Sequence, residues 1–326
     1  MPSPGPGIWP GQPIRFYRAD EAMREVSWRP GSLPLAPAGP GPAAVRVRES
    51  MEAGKASRSA MGSALLRAAH VREDPPPWVF EDTLAGQLLD AAEVAELEAT
   101  MAAWPPAVRR AFRVSHAVRA RLAEDVAAAG LAAGRRDYVL LGAGLDTFAW
   151  RHPRAGDFVI WEIDYPDTQA WKRAALRRTG LAEPANVRFV AADLSAAAIG
   201  DLGIPARATW NWLGVTMYLQ PEKTAGALRA IAAGRTGTTL VVNFLLAART
   251  LDTLGHAVRD SAAAAVTAAG EPVVAAYTCD EAADLLGEAG FGGIELFDAD
   301  RLRDRYLRDR SDLPLPGTTL IAVATV

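Results

Sequence analysis

Short apolar runs alternate with helical segments through the second half of the chain, and this alternation constrains the fold more than any other feature. The runs predict seven strands, at 138–141, 158–163, 187–191, 208–212, 239–244, 294–297 and 318–323. Helices are expected between them, near 147–151, 166–179, 221–234 and 280–289. Such alternation is typical of an α/β protein with a mostly parallel, doubly wound sheet. Because 301–316 lacks an apolar crossover helix, we expect the final strand to run antiparallel.

The rest of the chain is predicted to fall into parts around this sheet. Residues 1–56 are dense in proline and glycine with almost no hydrophobic periodicity, which predicts a flexible leader, although an arm packed on the body stays open. Helical spacing of apolar residues predicts a helical N-terminal cap over 57–134, ending in a long amphipathic helix from about 106. The remaining core, 135–326, carries a helical insertion at about 247–270, where insertions commonly cover a pocket.

Composition excludes several classes of function. Hydrophobic residues make up 50% of the chain and charged residues 22%, the balance of a folded globular protein. The net charge of −3 includes no basic patch, so we expect no nucleic-acid partner. No apolar run approaches the roughly 20 residues of a membrane-spanning helix, and the first residues do not resemble a signal peptide. The expected partner is a small molecule, bound by a monomer or homodimer.

Cysteine and histidine are sparse. Cys279 is the single cysteine, which excludes an intramolecular disulfide and favours a reducing, cytoplasmic setting. His70, His116, His152 and His256 show no metal-ligand spacing, so no metal site is expected. Two of them, His70 and His116, could each act as a base, but a lone histidine on a helix is more often structural, and we expect that role for both.

The strongest local pattern is YVLLGAGLDT at 138–147, a strand that ends in a glycine turn and opens a helix. Gly142 and Gly144 would let the backbone approach a ligand closely, and the first N–H groups of the helix could face an anionic part of it. A glycine pair by itself also fits a plain strand-to-helix turn.

Acidic residues follow the next two strands. Glu162 and Asp164 end the second strand, about 20 positions after the glycine turn, where a carboxylate reaches ribose hydroxyls. Asp193 ends the third, where it could accept a hydrogen bond from an adenine amino group while Leu194 packs near the ring. Together the three strand ends predict an adenosyl pocket. Thr147 stands where a dinucleotide fold has its third glycine, which disfavours pyrophosphate, and no GxxxxGK[ST] motif occurs.

The segment LGAGLDTFAWR at 141–151 resembles the LGAGLDTxxxR signature of the leucine carboxyl methyltransferase-like class I methyltransferases, especially the bacterial branch with polyketide-tailoring O-methyltransferases. Further segments match that family in the same order: VRARLAED at 118–125, EIDYP at 162–166, ADL at 192–194 and LGVTMYL at 213–219. The resemblance covers about 57–326. It implies a Rossmann-like sheet, S-adenosyl-L-methionine as cofactor, and methylation of a carboxylate or hydroxyl of a small molecule, such as a polyketide-type secondary metabolite.

The resemblance also implies roles for individual residues. Gly142 and Gly144 would shape the methionine end of the cofactor site. Asp164 would contact the ribose, and Asp193 with Leu194 would contact the adenine.

The sequence departs from the family at Leu213, where several relatives have glutamate. We expect Asp146 or a backbone carbonyl to supply the missing contact to the cofactor amino group. Arg119 and Arg67 are candidates to hold the cofactor carboxylate or an acidic substrate, because guanidinium groups bind carboxylates bidentately. Arg121 is expected on a solvated helix face.

Tyr218 lies just beyond the fourth strand, where a methyl acceptor would sit, and is expected to touch substrate. Methyl transfer from a sulfonium needs mainly alignment and exclusion of water. An ionised carboxylate needs no general base, whereas an alcohol or phenol profits from one. With no convincing base in the sequence, a carboxylate or an acidic phenol is favoured, and no catalytic residue is assigned.

Two other functions stay open. An NAD(P)-dependent oxidoreductase on the same type of sheet would predict a pyrophosphate-binding helix and a YxxxK motif, and Thr147 and the absence of that motif count against it. A relative that binds the cofactor without turnover is compatible with Leu213 and the long leader.

Overall fold

The structure is a computed structural model that describes residues 56–234, 236–268 and 271–326. It contains a seven-stranded sheet in the order β3-β2-β1-β4-β5-β7-β6. The strands are β1 Asp137–Leu141, β2 Val159–Asp164, β3 Val187–Ala191, β4 Thr209–Trp212, β5 Thr239–Leu245, β6 Gly293–Phe297 and β7 Thr319–Thr325. β1 to β5 pair in parallel, while β7 is antiparallel to both neighbours. The predicted fold class, strand number and antiparallel final strand are confirmed.

Helices flank the sheet and extend beyond one edge. They are α1 Arg58–Glu73, α2 Ala91–Ala102, α3 Pro106–Ala132, α4 Phe148–Arg151, α5 Pro166–Arg178, α6 Pro221–Ala232, α7 Thr253–Ala268, α8 Cys279–Ala289 and α9 Ala299–Tyr306. Proline at the first position starts α3, α5 and α6, because its missing N–H is one that a helix start leaves unbonded anyway. Among the described residues, no helix is long and apolar enough to cross a membrane.

Each face of the sheet is covered by helices. α6 and α8 pack through residues such as Leu228 and Leu286 against β4, β5 and β7. On the other face, α3 and α9 pack against β5 and β7, with Val118 and Leu122 of α3 among the contacts. α3 is therefore part of the cover of the sheet as well as of the predicted N-terminal cap. The predicted boundaries at 56/57 and 134/135 stay predictions, and the predicted leader lies outside the described residues except for Ala56.

A buried ion-pair cluster joins the end of α1 to α3. Asp74 accepts hydrogen bonds from Arg113 Nη2, at 2.8 Å, and pairs with His70 Nδ1 at 2.9 Å. Burial alone would raise the pKa of Asp74, but the bonds and charges of His70 and Arg113 outweigh it and lower the pKa to about 2. His70 Nε2 accepts the backbone N–H of Val79 at 3.2 Å, so both ring nitrogens of His70 are used within the protein.

Candidate active site

The glycine turn after β1 has a backbone that only glycine adopts without strain. Gly142 and Gly144 have φ angles of +72° and +51°. A Cβ on Gly142 would lie 2.3 Å from Val215 Cγ2, and one on Gly144 would lie 3.2 Å from Ala60 Cβ. The turn is therefore pressed between the segment after β4 and the first turn of α1, and a side chain at Gly142 would collide with Val215.

Asp164, at the end of β2, is fixed against this turn. Its Oδ2 accepts the N–H of Gly144, and its Oδ1 accepts the N–H of Tyr165 at 2.6 Å. Burial raises the pKa of Asp164, and the two backbone hydrogen bonds oppose that rise. The carboxylate is therefore held at the carboxyl edge of the sheet, beside the glycine turn.

Asp193 occupies the equivalent place after β3. Its Oδ1 accepts hydrogen bonds from Ser195 N at 2.9 Å and from Ser195 Oγ at 2.6 Å. Leu194 beside it is half-buried and packs against the main core. The turn after β3 thus offers a fixed carboxylate next to an apolar side chain.

These strand ends surround a cavity of about 290 Å³ that lies under α1. All nine site residues predicted from the sequence line this cavity: Arg67, Arg119, Gly142, Gly144, Asp146, Asp164, Asp193, Leu194 and Tyr218. The structure therefore brings the predicted residues into one place. Which group of a ligand each of them touches stays a prediction.

Arg119, on α3, is held inside the cavity without an acidic partner among the described residues. Its Nη2 donates to Ser63 Oγ at 3.3 Å, and its guanidinium lies against Gly214, where a Cβ would be 3.5 Å away. Burial and the nearby charge of Arg67 lower the pKa of Arg119 to about 10, so the group is still charged at neutral pH. A charged group removed from water is costly unless it is paired, so this position suits an anionic part of a ligand.

Arg67 and Arg121 have partners of their own. Arg67 donates from Nε to Asp82 at 2.9 Å and from Nη2 to Leu145 O at 2.7 Å, which ties α1 to the glycine turn. Arg121 pairs with Asp125 at 2.8 Å and is not among the residues of the cavity wall.

Leu213 lines the cavity together with two acidic residues, Asp146 and Glu124. Asp146 Oδ1 accepts the N–H of Phe148, the first residue of α4, at 2.7 Å. Glu124 also lines the cavity and pairs with Arg151, and burial raises its pKa to about 7. The segment VRARLAED contains Glu124, but sequence reasoning gave that residue no role.

Sequence reasoning also missed Glu271. Its two carboxylate oxygens accept the N–H groups of Arg58, at 2.9 Å, and Ser59, at 3.2 Å, at the start of α1. Glu271 lies three residues after the end of α7 and lines the cavity. No local pattern marks it, because only the tertiary fold brings this segment to α1.

A second cavity, of about 400 Å³, adjoins the first. Its wall is mainly apolar and includes Leu97, Met101, Trp104, Phe112, Met217 and Val258. α7 lies within the helical insertion predicted at about 247–270 and forms part of this wall, as expected for an insertion that covers a pocket. The two cavities share Ser59, Ser63, His116, Arg119, Gly214 and Tyr218.

Comparisons with known proteins agree with this geometry. Residues 60–232 match the family Leucine carboxyl methyltransferase. A Bacillus subtilis (strain 168) protein, YktD, provisionally assigned as an S-adenosyl-L-methionine-dependent methyltransferase, is 26% identical over 296 residues, which cover 80% of this chain and 95% of that one. A Mycolicibacterium gilvum protein with the same provisional assignment is 37% identical over 135 residues, 41% of this chain and 51% of that one.

A solved structure agrees in fold. The crystal structure of a provisionally assigned methyltransferase from Thermobifida fusca superposes with a TM-score of 0.51 at 16% identity, over 83% of this chain and 95% of that chain.

The cavity fits the cofactor of this family. Its wall contains a glycine turn that leaves no room for side chains and two carboxylates at neighbouring strand ends. It also contains a charged guanidinium without an acidic partner among the described residues. These features match the parts of an adenosyl amino acid. The family match and the relatives named above are methyltransferases, not the NAD(P)-dependent oxidoreductase of the alternative. The chain therefore belongs to the leucine carboxyl methyltransferase family and is an S-adenosylmethionine-dependent methyltransferase.

Proposed function

We propose that this enzyme methylates an oxygen atom of a small molecule whose body is apolar, such as a polyketide-type aromatic. The observation that carries the proposal is the apolar cavity that shares a wall with the cofactor cavity. Its volume of about 400 Å³ lies within the range of small-molecule sites, which are mostly apolar with a few convergent polar groups. S-adenosylmethionine, when bound, supplies a methyl group already activated on a sulfonium.

The cofactor cavity contains a group suited to each part of that molecule. Arg119 would pair with the cofactor carboxylate. Unlike Arg67, this arginine of the cavity wall has no acidic partner among the described residues. Asp164 would bind the ribose hydroxyls, and Asp193 with Leu194 would bind the adenine. With these assignments, residues at the strand ends would hold the adenosyl part, and Arg119, which lines both cavities, would hold the methionine end.

The protein's own contribution to catalysis is alignment and exclusion of water. The acceptor body would be fixed by apolar contacts with Phe112, Met101 and Trp104. Burial raises the pKa of Tyr218, so its hydroxyl stays protonated and can donate a hydrogen bond to an acceptor oxygen at the shared wall.

A product assay tests the proposal. The purified protein is incubated with S-adenosylmethionine and a panel of aromatic hydroxyls, carboxylic acids and amines built on the same ring systems. S-adenosylhomocysteine formation measures turnover, and mass spectrometry identifies the methylated atom. We expect methyl ethers or methyl esters. Methylation confined to nitrogen or carbon would contradict the proposal, and cofactor binding without transfer to any probe would instead support a non-catalytic relative.

A further inference from the structure

One stripe of α3 runs along the walls of both cavities. Phe112, His116 and Arg119 are spaced four and three residues apart, so they share one face of the helix. Phe112 lines the apolar cavity, His116 and Arg119 line both cavities, and Glu124, further along, lines the cofactor cavity. Along this face, the apolar ring of Phe112 is followed by the imidazole of His116 and then by the guanidinium of Arg119. His116 stands at the junction that a transferred methyl group would have to cross.

The hydrogen bonding of His116 sets the form of its ring. Nδ1 lies 2.8 Å from the carbonyl oxygen of Phe112, and a carbonyl can only accept, so Nδ1 carries the proton. The neutral ring therefore has its lone pair on Nε2. That nitrogen forms no hydrogen bond with any described residue. Nε2 is not completely buried, although His116 as a whole is only 5% exposed. The accessible edge of the ring therefore faces the cavities that His116 lines.

The surroundings keep this imidazole neutral. Burial, Arg119 on the same helix and Arg67 on α1 all lower the pKa of His116 well below its usual value. The nearby Tyr218, on the segment after β4, stays an uncharged phenol. At neutral pH, Nε2 of His116 therefore presents a hydrogen-bond acceptor at the junction. A ligand group that donates a hydrogen bond fits this position better than one that only accepts.

The other polar side chains of the shared wall cannot take up a proton at neutral pH. Ser59 and Ser63 are hydroxyls, and Ser63 already accepts a hydrogen bond from Arg119. Tyr218 has a raised pKa and stays protonated. Among the described residues that line both cavities, His116 alone offers a basic lone pair.

We propose that the methyl acceptor is a hydroxyl group on an apolar, ring-bearing molecule and that Nε2 of His116 accepts its proton during transfer. The inference rests on the proposed function and narrows it from oxygen in general to hydroxyl. An oxygen lone pair forms the bond to the methyl carbon, and the S–CH₃ bonding pair passes to sulfur. The O–H bonding pair stays on oxygen, while the proton moves to Nε2 and then to solvent. A carboxylate would donate nothing to Nε2 and would need no base.

This role for His116 differs from what the sequence favours, since the sequence shows no convincing base and points to a carboxylate or an acidic phenol. On sequence alone, His116 is expected to be structural, as His70 is. The structure separates the two, because His70 uses both ring nitrogens within the protein and His116 uses one.

Kinetics with matched acceptors test the proposal. The probes are 2-naphthol, 2-naphthoic acid and a nitro-substituted 2-naphthol that is already ionised at pH 8. In His116→Gln an amide replaces the ring near Nε2 but cannot take up a proton, whereas His116→Asn retains a donor for the Phe112 carbonyl. We expect either change to lower kcat for 2-naphthol about 10²–10³-fold at pH 7, within the usual range for a general base. The Michaelis constant for the unsubstituted naphthol and the Kd for S-adenosylmethionine should change little.

Two further readouts separate proton transfer from a structural role. The loss in His116→Gln should shrink as the pH rises toward ionisation of 2-naphthol, and it should be small for the nitro-substituted probe. His256→Gln is the matched control, because His256 lies on α7 and lines neither cavity. Methylation of the acid but not of the naphthols, with no effect of His116 variants, would overturn this inference and leave oxygen methylation standing. A wild-type enzyme that methylates no hydroxyl probe would overturn it as well.

Nitrogen NMR of the wild-type protein bound to S-adenosylhomocysteine tests the ring directly and does not depend on turnover or on a folded variant. We expect the His116 signals of a neutral ring with the proton on Nδ1 at neutral pH, because burial and the nearby arginines lower the pKa of this imidazole. A proton on Nε2, or an imidazolium that titrates near the usual histidine value, would overturn the proposal.

Discussion

The carboxylate of Asp164 accepts a hydrogen bond from the backbone N–H of Gly144, which ties the end of β2 to the glycine turn after β1. The two strands are neighbours in the sheet, with Leu141 paired to Ile163 just before these ends. One side chain therefore stabilises the turn and also lies where a ribose would bind. Changes at Asp164 should affect cofactor binding through both effects.

Replacing Asp164 should weaken cofactor binding strongly. Asp164→Ala removes hydrogen bonds to a charged group, each worth about 1.5–3 kcal/mol, so we expect the Kd for S-adenosylmethionine to rise at least tenfold. Asp164→Asn keeps an oxygen acceptor but loses the charge, and its affinity should lie between those of wild type and Asp164→Ala. Asp193→Ala should also weaken binding. Calorimetric titration measures the Kd of all three variants. Unchanged affinity in both alanine variants would show that this cavity is not the cofactor site.

Replacing Arg119 should weaken binding of one part of the cofactor selectively. Arg119→Met should raise the Kd for S-adenosylmethionine about 10–100-fold, the usual range for a lost charged hydrogen-bond pair. Decarboxylated S-adenosylmethionine, which lacks the carboxylate, should bind wild type and variant with similar affinity. Arg121→Met is the matched control, because Arg121 pairs with Asp125 and is not part of the cavity wall. Equal losses for both ligands would contradict a pairing of Arg119 with the carboxylate.

A side chain at Gly142 should abolish cofactor binding. Its φ of +72° strains any other residue by roughly 1–3 kcal/mol, and a Cβ would lie 2.3 Å from Val215 Cγ2. We expect Gly142→Val to lower the melting temperature and to lose measurable binding. Gly156→Ala, where a Cβ would meet nothing within 4 Å, is the control and should behave like wild type. Normal affinity in Gly142→Val would show that the turn does not shape the site.

The Asp74 cluster should make stability depend on acid pH. The pKa of Asp74 lies at about 2 in the folded protein, below its ordinary 3.8. The ionised form is therefore favoured by folding, and this contribution is complete above pH 3.8 and is lost as the pH falls toward 2. Asp74→Asn should cost about 3–5 kcal/mol at pH 7, as for a buried pair that loses one partner.

Urea unfolding at several pH values measures this difference. The gap in free energy of unfolding between wild type and Asp74→Asn should narrow below pH 4. Asp157→Asn, which removes an exposed pair with Arg154, should have almost no effect at any pH. A constant gap from pH 7 to pH 2.5 would show that ionisation of Asp74 does not stabilise the fold.

Strands, most helices and the edge that carries the site could be predicted from the sequence, since they depend on local patterns. Apolar runs separated by helical segments specify a parallel sheet, and in such a sheet the ends of neighbouring strands share one edge. Gly144, Asp164 and Asp193 could therefore be placed together on the strength of the strand pattern alone. Glu271 could not, because its position depends on how the segment after α7 returns to α1.

The sequence by itself determined the sheet and the cofactor edge, because short-range hydrophobic patterns and strand-end residues encode both. Only the tertiary structure decided between two histidines that look alike in sequence, each alone on a helix. Packing places Asp74 and the Val79 N–H on the two nitrogens of His70, but places only the Phe112 carbonyl on His116. The physical reason is that a helical pattern does not specify the path of the chain after α1 ends, and that path carries the Val79 N–H back to Nε2 of His70.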